Sequence, residues 1–172
     1  MDEINKRNTK LSRKIVEDLA FKIGVSALKY QMLKVSPEKD VVFDWEQSLE
    51  LQGDTGPYLQ YAYTRCSSIL KKVKKWECCS IKSLNDEEKR LVRLLSNFPK
   101  VVIQAAKDFR PHYICNYTYD LATTFNNFYE NHRVLNAETT DLKNFRLTLV
   151  NASKSVLGKC LELMGMYTIE RM

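Results

Sequence analysis

Tyr58, Tyr61 and Arg65 stand at i, i+3 and i+7 directly after the polar loop Gly53-Asp54-Thr55-Gly56-Pro57. At helical spacing the three share one face, while Leu59, Ala62 and Cys66 share another that can pack on a core. Gly53 and Gly56 permit backbone conformations that other residues avoid, Pro57 has the fixed φ of a first helical turn, and Asp54 or Thr55 can cap the exposed amides. Aromatic rings beside an arginine and a tight polar loop suit a surface that stacks on bases and holds phosphates. The same tyrosines could instead be large amphipathic residues packed at a seam, and periodicity alone leaves both readings open. Tyr63, turned away from the Tyr58–Tyr61 face, reads as a core residue.

Further cations surround this segment. Lys71, Lys72, Lys74 and Lys75 follow the tyrosine helix, and Lys6, Arg7, Lys10, Arg13 and Lys14 crowd the start of the chain. With a formal charge of +6 over 172 residues and a pI near 9.0, the balance favours a polyanionic partner. The simpler account of the lysine run is complementarity to the negative end of a helix. His132 beside Arg133, after the aromatic face Phe125, Phe128 and Tyr129, is either a nucleotide contact or a helix C-terminal cap.

The elements that must position these residues are helices. Only five glycines and four prolines interrupt the chain, and valine and isoleucine rarely alternate. Apolar residues at Ile15, Leu19, Ile23, Ala27, Tyr30 and Leu33 predict one bent helix or two, with Gly24 marking a break or a close helix approach. A turn over residues 35–40 and a short extended piece at Val41-Val42-Phe43 lead to Asp44, an N-cap for Trp45-Glu46-Gln47-Ser48-Leu49. The tyrosine helix should end near Lys75. Asn85-Asp86-Glu87-Glu88 has the acidic first-turn chemistry of a helix start, and a second start is expected at Asn97-Phe98-Pro99. Arg110-Pro111 should restart the chain into a long helix, and Thr140-Asp141 should open the last one, capped by a left-handed Gly165. The fold class is all-α: an antiparallel helix bundle, preceded by a smaller helical segment around residues 1–50. No internal repeat appears.

Several chemistries are excluded. Five cysteines include the adjacent pair Cys78-Cys79, with Cys66, Cys115 and Cys160 in apolar helical stretches, and no metal-ligand spacing accompanies them or His112 and His132. Reduced, mostly buried thiols in a cytosolic protein are expected. The N-terminal residues lack the apolar region of a signal peptide, and no window approaches a membrane span. No GxGxxG, Walker loop, GxSxG or HExxH is present, and Asp86-Glu87-Glu88 fits the helix dipole better than acid/base work. Lys10-Leu11-Ser12-Arg13-Lys14 superficially matches the KMSKS loop of class I aminoacyl-tRNA synthetases, yet it lies where a helix begins, with Ser12 as a possible cap.

Longer stretches carry a family resemblance. Val42-Phe43-Asp44-Trp45 followed by Gly53-Asp54-Thr55-Gly56-Pro57-Tyr58-Leu59-Gln60-Tyr61-Ala62-Tyr63-Thr64-Arg65 resembles the segment of arginyl-tRNA synthetases that leads into their helical anticodon-binding domain, typically FDWxxxLxFEGxTxPYxQYAxxR. Gly24 to Tyr30, Phe125-Asn126-Asn127-Phe128-Tyr129 with Val134-Leu135, Leu163-Met164-Gly165-Met166 and the ending Glu170-Arg171-Met172 extend the likeness over essentially the whole chain. Leu51-Gln52 stands where Phe-Glu is common.

The resemblance implies a division into a connecting segment, residues 1–50, and an anticodon-binding bundle, residues 51–172. It implies that the HIGH motif, the nucleotide-binding fold and the true KMSKS region lie upstream, so that the chain is a C-terminal portion of a larger cytoplasmic ligase, or a freestanding relative, with no catalytic residues of its own. ATP and magnesium would serve only the full-length enzyme; no cofactor or metal is expected here. The implied partners are arginine tRNA, through its anticodon stem and loop, and the catalytic domain of the same polypeptide. The implied RNA-binding residues are Gly53, Asp54, Thr55, Gly56, Pro57, Tyr58 and Tyr61 at the anticodon, with Met172 beside it. Arg65, Lys71, Lys72, Lys74, His132 and Arg133 are the candidates around the phosphates. With the resemblance added, Tyr58 and Tyr61 are expected to be exposed. A freestanding adaptor that delivers tRNA to a protein, and a purely structural module packing through its tyrosine face, are the competing expectations.

Overall fold

The computed structural model describes residues 12–77 and 83–171. Among them the chain forms six helices and no strand: α1 (Arg13–Leu33), α2 (Trp45–Ser48), α3 (Gly56–Leu70), α4 (Asp86–Asp108), α5 (His112–Asn131) and α6 (Thr140–Leu163). Cys78, Cys79, Lys6, Arg7, Lys10 and Met172 lie outside the described residues.

Most helix starts follow from their first side chain. The Asp44 carboxylate accepts from the amides of Glu46 and Gln47, Thr55 from Tyr58, and Thr139 from Leu142. Asn85 and Glu88 form a reciprocal capping box, each side chain accepting from the other's backbone amide. Gly165 closes α6 at φ 65, as the glycine predicts, with the Met166 amide donating to the Leu161 carbonyl.

Three boundaries differ from the sequence expectation. Helix α1 runs unbroken through Gly24, because Val16, Ser26, Ala27 and Tyr30 bury one continuous face across it. Helix α4 likewise runs through Pro99, and there is no second start at Asn97. The ring lies on the exposed side and forfeits a single backbone bond, while Leu91 and Ala105 are buried on either side of it. Helix α3 stops at Leu70 rather than near Lys75. Its end tightens through bonds from the Lys72 amide to Ile69 and from the Val73 amide to Leu70, and Val73 and Trp76 then fold back onto the core.

Helix α3 packs against α1, α5 and α6. Its Leu59, Ala62, Cys66 and Ile69 meet Tyr30 of α1, Leu121, Ala122, Phe125 and Phe128 of α5, and Leu147, Val150, Leu157, Cys160 and Leu161 of α6 in one cluster. The approach of α1 to α3 is close: a Cβ on Gly56 would lie 2.9 Å from the Ser26 carbonyl oxygen and 3.1 Å from Ala27 Cα. Cys66, Cys115 and Cys160 are free and buried, and burial pushes each thiol above its ordinary pKa. One ion pair is sealed inside, Arg146 Nε to Glu88 Oε1 at 2.9 Å, and it ties the start of α4 to α6. Removing one partner of such a pair costs about 3–5 kcal/mol.

The chain after α6 returns along α1 and α3. The Tyr167 amide donates to Ser26 Oγ, Gln60 donates to the Tyr167 carbonyl at 2.7 Å, and Thr64 donates to the Ile169 carbonyl at 2.6 Å. Glu170 accepts from Tyr63, Lys71 and Lys154.

Candidate nucleic-acid interface

The loop before α3 is built from behind by α1. Gly53 takes φ 76, which a side chain would resist, and the Thr55 amide bonds back to its carbonyl at 3.0 Å. Thr55 is buried: its hydroxyl donates to the Glu50 carbonyl at 2.6 Å while accepting from the Tyr58 amide. One carboxylate oxygen of Asp54 takes the buried Tyr30 hydroxyl and the other lies 3.3 Å from Lys34 Nζ. Lys34 also donates to the Asp54 carbonyl at 2.8 Å. Burial and the Asp54 carboxylate together push the Tyr30 phenol well above its usual range, so it stays a donor. Asp54 therefore fixes the loop's shape with its side chain, and Gly56 and Pro57 are buried where the loop enters the helix.

Beyond the loop, α3 and α5 form a polar and aromatic row. The Tyr58 ring packs on Tyr119 with centroids 5.8 Å apart, and its hydroxyl lies 3.4 Å from Thr123 Oγ1. Two turns on, Arg65 is held between the Tyr61 and Tyr129 rings at 4.8 and 5.2 Å. Its guanidinium donates to the Tyr61 hydroxyl at 3.0 Å, to Asn126 Oδ1 at 2.9 Å and to Glu130. Partial burial works against the arginine's charge, but Tyr61 and Glu130 outweigh it and leave its pKa above the ordinary value. Tyr58 and Tyr61 are half-buried rather than fully exposed as the resemblance implied. Tyr63 is half-buried as well, not a core residue: its ring lies against Gly158 and beneath Lys154, at the seam between α3 and α6.

The remaining cations divide by their neighbours. Lys71 is bound to Glu170, both to its carboxylate at 3.1 Å and to its carbonyl. Lys72 and Lys74 are exposed. Arg133 is exposed, and its carbonyl accepts from Arg146. His132 ends α5, its amide donating to Phe128 and its Nε2 engaged by Glu87, whose other oxygen takes Asn131. Those two contacts hold the Glu87 carboxyl below the usual range. Gly53 to Tyr61 are thus brought together at the start of α3, whereas Lys71 to Lys74 follow its far end.

Residue types alone did not single out Tyr30 and Lys34, which brace the loop, nor Tyr119, Thr123, Asn126 and Glu130, which complete the row. The signal for the latter was available: 119, 123, 126 and 130 repeat at i, i+4, i+7 and i+11, one face of α5. Among the described residues no group of three or more His, Cys, Asp or Glu side chains could hold a metal ion, and no helix is long and apolar enough to cross a membrane.

Comparison with known proteins places this geometry. The family model for the DALR anticodon binding domain matches residues 59–172. The arginine–tRNA ligase of Pyrococcus abyssi is 42% identical over 175 residues, covering 98% of this chain and 28% of its own length. That of Clostridium beijerinckii is 43% identical over 176 residues, covering all of this chain and 31% of its own. Among solved structures, Thermus thermophilus arginyl-tRNA synthetase superposes with a TM-score of 0.91 at 32% identity, over 99% of this chain and 30% of that one. Arginyl-tRNA synthetase from Plasmodium falciparum gives 0.81 at 30% identity, over 99% and 30%. The chain therefore spans less than a third of the length of the curated relatives it matches. With the helical fold, the braced loop and the family match in agreement, the chain belongs to the DALR anticodon-binding domain family.

Proposed function

We propose that this chain binds the anticodon stem and loop of arginine tRNA, as the anticodon-binding portion of an arginine–tRNA ligase. The observation that carries the reading is the Gly53–Pro57 loop, locked by Tyr30, Lys34 and Thr55 and set beside the half-buried Tyr58 and Tyr61. A rigid loop presents backbone amides and carbonyls at fixed positions, and the half-buried Tyr58 and Tyr61 add aromatic and hydroxyl groups that splayed loop bases can meet. Every arginine codon has G in its middle position, so the middle anticodon base is C, and a loop amide or carbonyl facing that base would read it. Lys72, Lys74 and Arg133 are suited to phosphates, giving affinity and salt dependence without sequence choice. Arg65 organises Tyr61 and Tyr129.

In this reading residues 51–172 are the binding bundle and residues 1–50 lead to a catalytic region, where ATP and magnesium would act in attaching arginine. A cytoplasmic location accompanies the reading. The test is a titration of the chain with arginine tRNA and with a transcript changed at the middle anticodon base. The cognate transcript is expected to bind at least tenfold more tightly; equal affinities would remove base readout.

A further inference from the structure

Helix α4 packs on α5 and α6, and its outer side carries a charged surface separate from the Gly53–Pro57 loop. Lys89, Arg93, Lys100 and Lys107 recur at i, i+4, i+11 and i+18, opposite the buried Leu91 and the core-facing Leu95 and Phe98, and Arg90 flanks them. All five cations are exposed. The acidic residues of α4 sit at its ends, Asp86, Glu87 and Glu88 in the first turn and Asp108 at the last residue, with none between Lys89 and Lys107. Lys89 pairs with Asp86 at 3.1 Å. The side chains of Arg90, Arg93, Lys100 and Lys107 make no ion pair or hydrogen bond with any described residue. Eighteen residues of helix rise about 27 Å, so the stripe is long enough to follow several successive phosphates.

We infer that this side of α4 is a second RNA-binding surface, one that tracks the sugar–phosphate backbone of double-stranded RNA without reading sequence. Its composition selects the occupant. The stripe holds no aromatic ring, so it lacks the platform that single-stranded bases need, in contrast to the row on α3 and α5. Protein–protein interfaces centre on an apolar, desolvated patch, and the large apolar side chains exposed on α4 are only Val92 and Ile103. Ser96, Asn97 and Gln104 lie between the cations and add polar groups that suit phosphate and ribose oxygens. Four cations with no counter-charge paired to them among the described residues are matched by a duplex backbone, whose binding releases counterions. The surface stands independently of anticodon reading, because α4 contributes nothing to the loop or the tyrosine row.

The test uses an RNA duplex of about 20 base pairs and unrelated sequence. The intact 172-residue chain is compared with a triple variant, Arg93→Gln, Lys100→Gln and Lys107→Gln, each exposed and remote from the core. Wild type is expected to bind the duplex with affinity falling steeply with salt, and the triple variant to bind at least tenfold more weakly at low salt. The slope of log affinity against log salt should become shallower by about 2–3, at roughly 0.7–0.9 for each phosphate no longer neutralised. Lys100→Gln alone should remove about one such step, which separates the effect from any unfolding of the triple variant. Discrimination at the middle base of an anticodon stem–loop should be unchanged in both variants, so a failure of the anticodon reading shows separately, in wild type. Equal slopes for wild type and the triple variant overturn the inference. So does a wild-type chain that ignores the duplex, which would leave the stripe to an acidic protein.

Discussion

Arg65 carries the charge expected of a phosphate ligand, yet all three of its hydrogen-bond partners are protein groups, and two tyrosine rings cover its faces. A lysine keeps the charge but not the planar fork that meets Tyr61, Asn126 and Glu130 together. Arg65→Lys should therefore weaken binding of the cognate stem–loop several-fold while leaving the salt slope as in wild type; a slope smaller by about one would make Arg65 a phosphate contact after all. Glu170 supplies a second expectation. Burial raises its pKa, but hydrogen bonds from Lys154, Lys71 and Tyr63 outweigh this and hold it down to about 2, against an ordinary 4.5. A carboxylate depressed in the folded state adds stability that is present above the unfolded pKa and is lost as pH falls from about 4.5 toward 2. Thermal melts over that interval should show a smaller loss in Glu170→Gln than in wild type; parallel losses would mean the contacts do not persist in solution. Residue types announced the Tyr58, Tyr61 and Arg65 face, but not that Arg65 would be enclosed, because Asn126, Tyr129 and Glu130 arrive from a helix some sixty positions later.

Elements whose ends are governed by local chemistry were readable in advance. Asp44, the Asn85–Glu88 box and Gly165 act within a few residues of themselves, so the caps appear where the sequence puts them. Gly24 and Pro99 misled for the complementary reason. Both are intrinsically helix-weakening, by about 1 and 3 kcal/mol, and each is outweighed by burial of the same helix's opposite face, a tertiary effect. Gly56 belongs to this scale too. Its importance is the approach of α1 and not a special φ, which sequence could not distinguish. Gly56→Ala places a methyl against the Ser26 carbonyl and Ala27 backbone, neither of which can swing aside. It should destabilise by about 1–3 kcal/mol in urea unfolding and loosen the Gly53–Pro57 loop, reducing stem–loop affinity; an unaffected midpoint would show that α1 shifts freely.

At the scale of the molecule, the helical class and the family were legible because both rest on patterns spread over the chain, and the 59–172 family match agrees with the long Gly53–Arg65 motif. Surface charge was less legible. The lysine cluster after α3 is conspicuous in sequence, while the α4 stripe emerges only once Lys89 to Lys107 are known to lie on one uninterrupted helix. The returning tail has an effect on the order of folding. Ser26, Gln60 and Thr64 find their partners at Tyr167 and Ile169, separations of 141, 107 and 105 residues. Ser26 and Gln60 also bond each other at 2.9 Å, so α1 and α3 can meet early, and only the cover that residues 167–169 lay over their seam must wait for the end of synthesis. That places the docking of residues 167–169 among the last folding events and makes the uncovered intermediate the stage most exposed to proteases and chaperones.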